Sequence, residues 1–272
     1  MITSTANAQV KELVKLMKKS RARDEAQVFL VEGPRMAGEL TSDPGWCTEI
    51  EKIYLSESYS GRNKGEHQDL ERTAPVEILS DSVFAHVSDT KTPQGILAVV
   101  RRRTYNMSDI LGRDPAHAHV LVLDNLQDPG NLGTIFRTAE AAGVTGIILS
   151  RDCVDIYNPK VVRSTMGAVL RMPFLYVDDL PGTISELKGT GIKVYAAHLK
   201  GMHAYDQEDY RTGCAFLIGN EGNGLRDEVA ECADRFVIIP MHGKAESLNA
   251  AIAAAILMFE ADRQRGFTDG AG

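Results

Sequence analysis

The sequence predicts an α/β protein with a parallel sheet in its C-terminal half, and three observations support this prediction. Short apolar runs alternate with helical stretches from residue 119 to residue 240. The first run, 119–126 (HVLVLDNL), is continuously apolar, as in a strand that is buried on both faces. Residues 216–259 predict a strand, a glycine-rich loop, a helix, a short strand, a loop and a long apolar helix. Since α/β proteins build ligand crevices in this way, we expect a ligand where these loops meet.

The remaining apolar runs of the C-terminal half give the other strands of a doubly wound sheet. They are expected at 146–150, 174–177, 193–198, 215–219 and 236–240.

The first hundred residues predict a smaller α/β domain. An amphipathic helix is expected over 3–22, followed by strands and short helices. The strands are expected at 28–33, 52–57, 76–79 and 94–100. Residues 101–119 are charged, contain Gly and Pro and lack periodicity, which is typical of a linker. We therefore divide the chain into a domain of residues 1–110 and a domain of residues 111–272.

The charge distribution limits how the chain can bind nucleic acid. With 272 residues, a net charge of -7 and a pI near 5.5, the protein is not a polycation, so nucleic-acid binding requires a local patch. Residues 1–23 provide one, with six basic side chains against Glu12, or +5. The six are Lys11, Lys15, Lys18, Lys19, Arg21 and Arg23. The alternative interpretation is an ordinary solvated helix face.

Several classes of protein are disfavoured. The four cysteines form no C-x-x-C pair, which indicates reduced thiols. His117 and His119 have no cysteine or acidic motif beside them, and HExxH is absent, so we expect no metal site. Neither a secretion signal nor an apolar run of about 18 residues occurs, so we expect a cytoplasmic protein without membrane contact.

The first candidate site follows the strand at 119–126. Asn131 is expected to cap a helix whose apolar side carries Leu132, Ile135, Phe136 and Ala139, with Arg137 on a different face. Gly133, four residues earlier, leaves room for the Arg137 guanidinium to reach a ligand. A glycine inside a helix costs about 1 kcal/mol relative to alanine, which favours a functional reason. The alternative is a surface arginine that pairs with Glu140.

A second candidate site is the run from Arg163 to Ala168, where Ser164 and Thr165 precede Gly167. Hydroxyls and a glycine that permits close approach would then surround one helical turn, although a helix-capping serine explains part of this pattern.

The third candidate site is the glycine-rich loop, in which Gly219, Gly222 and Gly224 let the backbone approach a ligand and Glu221 is the only carboxylate. Ser247 is expected to cap the last helix. Asn249 is the only polar side chain between Leu248 and Phe259, so we expect it to be buried with hydrogen-bond partners, in either a structural or a functional role.

The pattern disfavours a dinucleotide-binding protein. The fingerprint G-x-G-x-x-G does not follow the first strand of the sheet, where DNLQDPGNLG stands instead, and no Walker-A pattern occurs.

At these same residues the chain resembles the SpoU (TrmH-like) family of RNA ribose 2'-O-methyltransferases, within the SPOUT class. The matching motifs are 128–143 (DPGNLGTIFRTAEAAG), 163–168 (RSTMGA), 218–225 (IGNEGNGL) and 238–253 (IIPMHGKAESLNAAIA). The first domain of the chain resembles the family's N-terminal RNA-binding domain, which has a ribosomal-protein-like α/β fold. The resemblance lies in two stretches, ITSTANAQVKELVKL and FLVEGPRMAGEL. One departure is Ala250, where the family usually has valine.

The resemblance implies a specific architecture and site. The C-terminal domain would contain a deep trefoil knot, which is a rare exception among folds. S-adenosylmethionine would bind in the knot, and the chain would form homodimers through this domain. Gly219, Ile239 and Leu248 match the family's cofactor positions, and Ile218, Glu221 and Met241 adjoin them. From the glycine-rich loop we add Gly224 as a cofactor-binding residue. The implied active-site residues are Arg137, Glu221, Ser247 and Asn249, and we add Asn131 as a further catalytic candidate.

The expected reaction is S-adenosylmethionine-dependent methylation of a ribose 2'-hydroxyl, in ribosomal RNA because chains with this separate N-terminal domain resemble ribosomal RNA methylases. The basic residues of 1–23, together with Arg35 and Arg163, are expected to contact the RNA. Two alternatives are an RNA-binding assembly factor with an inactive methyltransferase domain, and methylation of a base instead of a ribose.

Overall fold

The computed structural model describes residues 1–199, 201, 203–244 and 246–266, and their contacts divide the chain into two units. The N-terminal unit comprises Met1–Thr104 and Asp155–Leu170, and the C-terminal unit comprises Tyr105–Val154 and the residues from Arg171 onward. The sequence-based boundary at residue 110 therefore differs from the contact-based boundary, which follows Thr104. No sequence pattern indicated that residues 155–170, from the middle of the C-terminal half, pack with the N-terminal unit.

The secondary structure elements are numbered in chain order. The strands are β1 (Val28–Glu32), β2 (Ile50–Ser56), β3 (Val76–Leu79), β4 (Ile96–Arg101), β5 (His119–Leu123), β6 (Gly146–Ser150), β7 (Phe174–Val177), β8 (Lys193–Ala197), β9 (His203–Ala204), β10 (Cys214–Ile218) and β11 (Arg235–Ile238). The helices are α1 (Ala8–Lys18), α2 (Ser20–Ala26), α3 (Pro34–Ser42), α4 (Pro44–Cys47), α5 (Glu57–Arg62), α6 (Lys64–Thr73), α7 (Asp81–Val87), α8 (Met107–Leu111), α9 (Pro129–Ala141), α10 (Pro159–Ser164), α11 (Leu180–Gly189), α12 (Asp227–Ala230) and α13 (Ala250–Gln264). Three 3₁₀ turns among the described residues are Pro115–His117, Ala168–Leu170 and Tyr205–Gln207.

The N-terminal unit is built on a mixed sheet of strand order β1-β4-β2-β3, in which β2 and β3 are parallel and the other pairs are antiparallel. Helix α1 buries Val10, Leu13, Leu16 and Met17 in the core of this unit. The prediction of a single helix over 3–22 is wrong. Lys19 adopts an extended conformation (φ -124°, ψ 116°), which ends α1 before α2 begins.

Residues 155–170 are held in the N-terminal unit by buried contacts. The Tyr157 ring lies 4.8 Å from the Phe29 ring, and Trp46 Nε1 donates to the Leu170 carbonyl at 2.6 Å. Arg23, only 2% exposed, pairs with Asp155 at 2.5 Å and donates to the Leu16 carbonyl. Arg23 is therefore not part of an RNA-contacting surface, and that prediction is wrong because the side chain is committed to the core.

The C-terminal unit confirms the predicted parallel sheet. Among the described residues it has seven parallel strands in the order β7-β6-β5-β10-β8-β11-β9. The central strands β5 and β10 are buried along their whole length. Ile218 pairs with Leu123, so β5 and β10 end side by side and the loops that follow them meet at one edge.

The predicted linker contains a folded helix. Ile110 of α8 is fully buried against β6, since a Cβ on Gly146 would lie 2.7 Å from Ile110 Cα. A helix of five residues is too short to give a periodic pattern, which explains why it was missed.

In the part of the chain that the structure describes, all four cysteines are free, no helix is long and apolar enough to cross a membrane, and no histidine, cysteine and carboxylate group is placed to hold a metal ion.

Candidate functional site

A cavity of about 350 Å³ lies at the carboxyl ends of β8, β10 and β11. Its lining includes eight residues expected at the site from the sequence: Ile218, Gly219, Glu221, Gly224, Ile239, Met241, Ser247 and Leu248. The first residues of α13 complete the lining through Ala250 and Ala253. The structure therefore brings the glycine-rich loop, the loop after β11 and the start of α13 around one cavity, as expected for a sheet of this kind.

The glycine-rich loop folds back tightly on itself. The backbones of Asn220 and Gly224 exchange two hydrogen bonds, of 2.9 and 3.0 Å. A Cβ on Gly219 would lie only 2.1 Å from the Gly224 carbonyl carbon, so no side chain fits at position 219. Gly224 has a φ of +71°, a conformation that glycine adopts without strain. Both glycines are thus required by the shape of the cavity wall.

The charge of the lining limits the ligand. Glu221 and Glu246 line the cavity, and no lysine or arginine does so among the residues that the structure describes. The two carboxylates disfavour a strongly anionic ligand and favour one that carries a positive charge.

Asp124 ties the glycine-rich loop to the neighbouring strand. It is completely buried at the end of β5 and accepts hydrogen bonds from Arg226 N at 2.9 Å, from Arg226 Nε at 2.8 Å and from Arg226 Nη2. Asn220 Nδ2 donates to the Asn125 carbonyl at 2.8 Å. These contacts were missed in the sequence, where the only signal is an aspartate that directly follows an apolar strand.

A hydrogen-bonded network joins the three main motifs of the C-terminal unit. Asn131 Nδ2 donates to Glu221 Oε1 at 3.0 Å, and Asn131 Oδ1 accepts from Asn249 Nδ2 at 2.9 Å. The Glu221 carboxylate also accepts the backbone N–H groups of Gln127 at 3.1 Å and Asp128 at 2.9 Å. Hydrogen bonds therefore connect three side chains, which we call the amide–carboxylate network: Asn131, Glu221 and Asn249.

The network stabilises the ionised form of Glu221. Partial burial alone would raise the pKa of this carboxyl, but the hydrogen bonds from Asn131, Asp128 and Gln127 outweigh it and lower the pKa below its usual value. A carboxylate that accepts several N–H groups acts as an anchor at neutral pH and is a poor proton acceptor.

Three local predictions about this region are wrong. Asp128, and not Asn131, caps α9 by accepting from Asn131 N, because the helix begins at Pro129. Asn249, and not Ser247, caps α13, because its Oδ1 accepts from Ala251 N and Ile252 N. Asn249 is also exposed, since it stands at the start of the helix and not inside it.

Arg137 lies on the exposed side of α9, opposite the buried Leu132, Ile135, Phe136 and Ala139. Among the described residues it has no hydrogen bond or ion pair. Glu140, the partner expected in the alternative interpretation, is bound by Arg171 instead. Gly133 is buried in the same helix, and the room that it was expected to leave for Arg137 stays a prediction.

The expected RNA-contacting residues lie in the N-terminal unit. Lys11, Lys15, Lys18, Lys19 and Arg21 are exposed on α1, α2 and the residue between them. Arg21 and Arg35 are exposed and pair within their own helices, with Glu25 at 2.8 Å and Glu39 at 3.6 Å. Arg163, at the end of α10, pairs with Asp89 at 3.0 Å.

The second candidate site is not a helix start. Ser164 ends α10 and its hydroxyl donates to the Val161 carbonyl, while Thr165 is buried. Met166 and Gly167 then both adopt positive φ, of +53° and +94°. These residues therefore form a tight turn in the N-terminal unit.

Fold and site together define an α/β protein with a candidate ligand cavity at the carboxyl edge of a parallel sheet and with a second, smaller α/β unit. The model of the SpoU rRNA Methylase family matches residues 118–259, and that of the MRM3-like substrate binding domain matches residues 7–98. The chain belongs to the SpoU rRNA methylase family, as the resemblance of its motifs indicated.

Similar proteins match nearly the whole chain. The 23S rRNA (guanosine(2553)-2'-O)-methyltransferase RlmP of Bacillus subtilis is 35% identical over 258 residues, which cover 95% of this chain and 97% of the relative. The AdoMet-bound rRNA methyltransferase from Sinorhizobium meliloti is 30% identical with a TM-score of 0.84, covering 96% of this chain and 97% of that one. The SpoU methyltransferase AviRb from Streptomyces viridochromogenes, in complex with the cofactor AdoMet, is 27% identical with a TM-score of 0.83, covering 95% and 98%.

Proposed function

We propose that this protein is an S-adenosylmethionine-dependent methyltransferase that methylates a ribose 2'-hydroxyl in ribosomal RNA. The observation that carries the proposal is the cavity at the sheet edge, which the amide–carboxylate network joins to helix α9. This helix bears Arg137, which has no hydrogen-bond or ion-pair partner in the part of the chain that the structure describes. The family and its rRNA-methylating relatives support the same activity.

The cavity fits this cofactor chemically. S-adenosylmethionine carries a sulfonium cation together with polar and apolar parts, which agrees with a lining that combines two glutamates with other polar side chains and with aliphatic side chains. Ile218, Gly219, Gly224, Ile239, Met241 and Leu248 would hold it. When bound, this cofactor supplies an activated methyl group, so the protein mainly has to align the acceptor oxygen with that group.

Arg137 is proposed to bind the RNA at the reacting nucleotide. An arginine stays protonated in proteins and is a very poor base. Its guanidinium instead binds the adjacent phosphate and stabilises the alkoxide that develops as the 2'-hydroxyl loses its proton. The proton passes to a phosphate oxygen or to water.

The remaining active-site residues are proposed to set the geometry. The amide–carboxylate network holds the starts of α9 and α13 against the glycine-rich loop. The position of α9 relative to the cavity is thereby fixed. The exposed Ser247 lines the cavity and offers a hydroxyl to the ribose.

We further propose a trefoil knot in the C-terminal unit and a homodimer formed through it, as the motifs of the SpoU family imply. Ile252 and Phe259, 51% and 42% exposed, stand seven residues apart on one side of α13 and offer an apolar face to a second copy. The exposed lysines of α1 are proposed to contact the RNA backbone.

Two measurements test the proposed function. Isothermal titration with S-adenosylmethionine should show binding, whereas no binding would favour an RNA-binding factor with an inactive methyltransferase domain. After methyl transfer to ribosomal RNA, nuclease digestion and mass spectrometry should find the methyl group on a ribose, and a methylated base would contradict the assignment.

A further inference from the structure

Helix α9 contains one acidic and one basic side chain, Glu140 and Arg137, three residues apart. Residues at this spacing are neighbours on a helix, and opposite charges there attract. In isolation, α9 would therefore direct Glu140 toward Arg137. The structure shows a different pairing.

Glu140 is bound by Arg171, which precedes β7. Arg171 Nη2 donates to Glu140 Oε2 at 3.0 Å and Arg171 Nε donates to Glu140 Oε1, so both carboxylate oxygens are used. Such two-pronged pairs fix orientation better than a single contact. The Arg171 side chain is 45% exposed and the Glu140 side chain is 33% exposed, so the pair lies at the surface. Glu140 belongs to α9, the same helix that carries Arg137.

We propose that Arg171 is a positioning residue for the methyl transfer: it holds the Glu140 carboxylate away from Arg137 and so leaves the Arg137 guanidinium available for the RNA. This inference rests on the proposed role of Arg137. A phosphate that approaches Arg137 then displaces no partner among the residues that the structure describes, and the negative charge of Glu140 is compensated by Arg171.

Four variants test the proposal through kcat/KM for methyl transfer to ribosomal RNA. Arg171→Ala releases Glu140 and should lower kcat/KM by about two- to fivefold, since exposed ion pairs are weak. Glu140→Gln should retain the wild-type value, because Arg137 gains no competitor. The double variant Arg171→Ala with Glu140→Gln should have the wild-type kcat/KM. The conservative Arg171→Lys should also have the wild-type kcat/KM.

A merely structural pair would give another pattern. Arg171→Ala and Glu140→Gln would then lower kcat/KM equally, and the double variant would be as slow as Arg171→Ala. That result, or full activity of Arg171→Ala, would overturn the inference. Thermal unfolding of each variant, measured in parallel, controls for changes in stability.

Arg137→Ala separates this inference from the proposed function. If Arg137→Ala is inactive and the double variant remains slow, only the role of Arg171 is overturned. If Arg137→Ala keeps full activity, the role of Arg137 and the inference are both overturned.

Discussion

The amide–carboxylate network and Arg137 are joined through helix α9, which carries both Asn131 and Arg137, but their polar groups are used differently. Asn131, Glu221 and Asn249 form hydrogen bonds with one another and with the backbone. Arg137 has no partner among the described residues, and its helical neighbour Glu140 is bound elsewhere. The difference separates side chains that are held by their neighbours from the side chain that we propose is left for the substrate. Changes to the first should affect shape and stability, and changes to the second should affect turnover.

The largest expected effect is on turnover at Arg137. Arg137→Lys should lower kcat by about 100-fold or more, because an ammonium cannot make the forked contacts of a guanidinium with a developing charge. S-adenosylmethionine binding, measured by calorimetry, should stay near the wild-type value. Full kcat in this variant would remove Arg137 from the mechanism.

The next effect is on cofactor binding at Gly219. Gly219→Ala places a Cβ 2.1 Å from the Gly224 backbone, so the cavity wall must shift. Overpacking of this kind costs roughly 1–3 kcal/mol, and we expect about tenfold weaker S-adenosylmethionine binding or more. Gly189→Ala is the matched control, because its Cβ would meet nothing within 4 Å. Equal affinities of the two variants would show that the loop does not shape the cofactor site.

A smaller effect is expected on stability at Asn249. Asn249→Ala removes the cap of α13 and the bond to Asn131, and should lower the free energy of unfolding by about 1 kcal/mol. Asn249→Asp keeps a good cap but replaces the Nδ2 donor with an oxygen. We expect it to be nearly as stable as wild type in urea unfolding but slower in methyl transfer. Equal activity of Asn249→Asp and wild type would show that the bond to Asn131 has no role.

The smallest effect concerns pH. Since hydrogen bonds lower the pKa of Glu221 in the folded state, its contribution to stability is complete above the unfolded value of 4.5 and is lost as the pH falls through the lower folded value. Glu221→Gln should therefore show a weaker loss of stability than wild type below pH 4.5. Parallel pH profiles of the two proteins in urea unfolding would indicate that the network does not bind the charged form preferentially.

The parallel sheet was predictable because its strands are continuous apolar runs between turn residues. Strands β3, β6 and β7 occupy the residues expected from the sequence. Helix α6 was missed because only Leu70 of its ten residues is buried, so it shows no apolar stripe. The break between α1 and α2 at Lys19 was not predicted, because the apolar pattern continues into α2 through the buried Ala22.

At the candidate site, local sequence patterns predicted where individual residues lie, but they did not predict which residues contact each other. The glycine-rich loop and the exposed face of Arg137 follow from nearby residues. The pairs Asp124–Arg226, Asn131–Asn249 and Glu140–Arg171 join residues 31 to 118 positions apart, and no local pattern encodes them. The burial of Asn249 was mispredicted because the apolar sequence after it was assigned to the same buried helix, whereas Asn249 precedes that helix as its cap.

The most direct test is methyl transfer from labelled S-adenosylmethionine to ribosomal RNA from cells that lack this protein, compared with RNA from cells that contain it. The first RNA should accept label and the second should not, because its site is already methylated. Wild-type protein that labels neither RNA, or both equally, would contradict the proposal that this sheet-edge cavity and Arg137 form a specific ribosomal RNA methyltransferase.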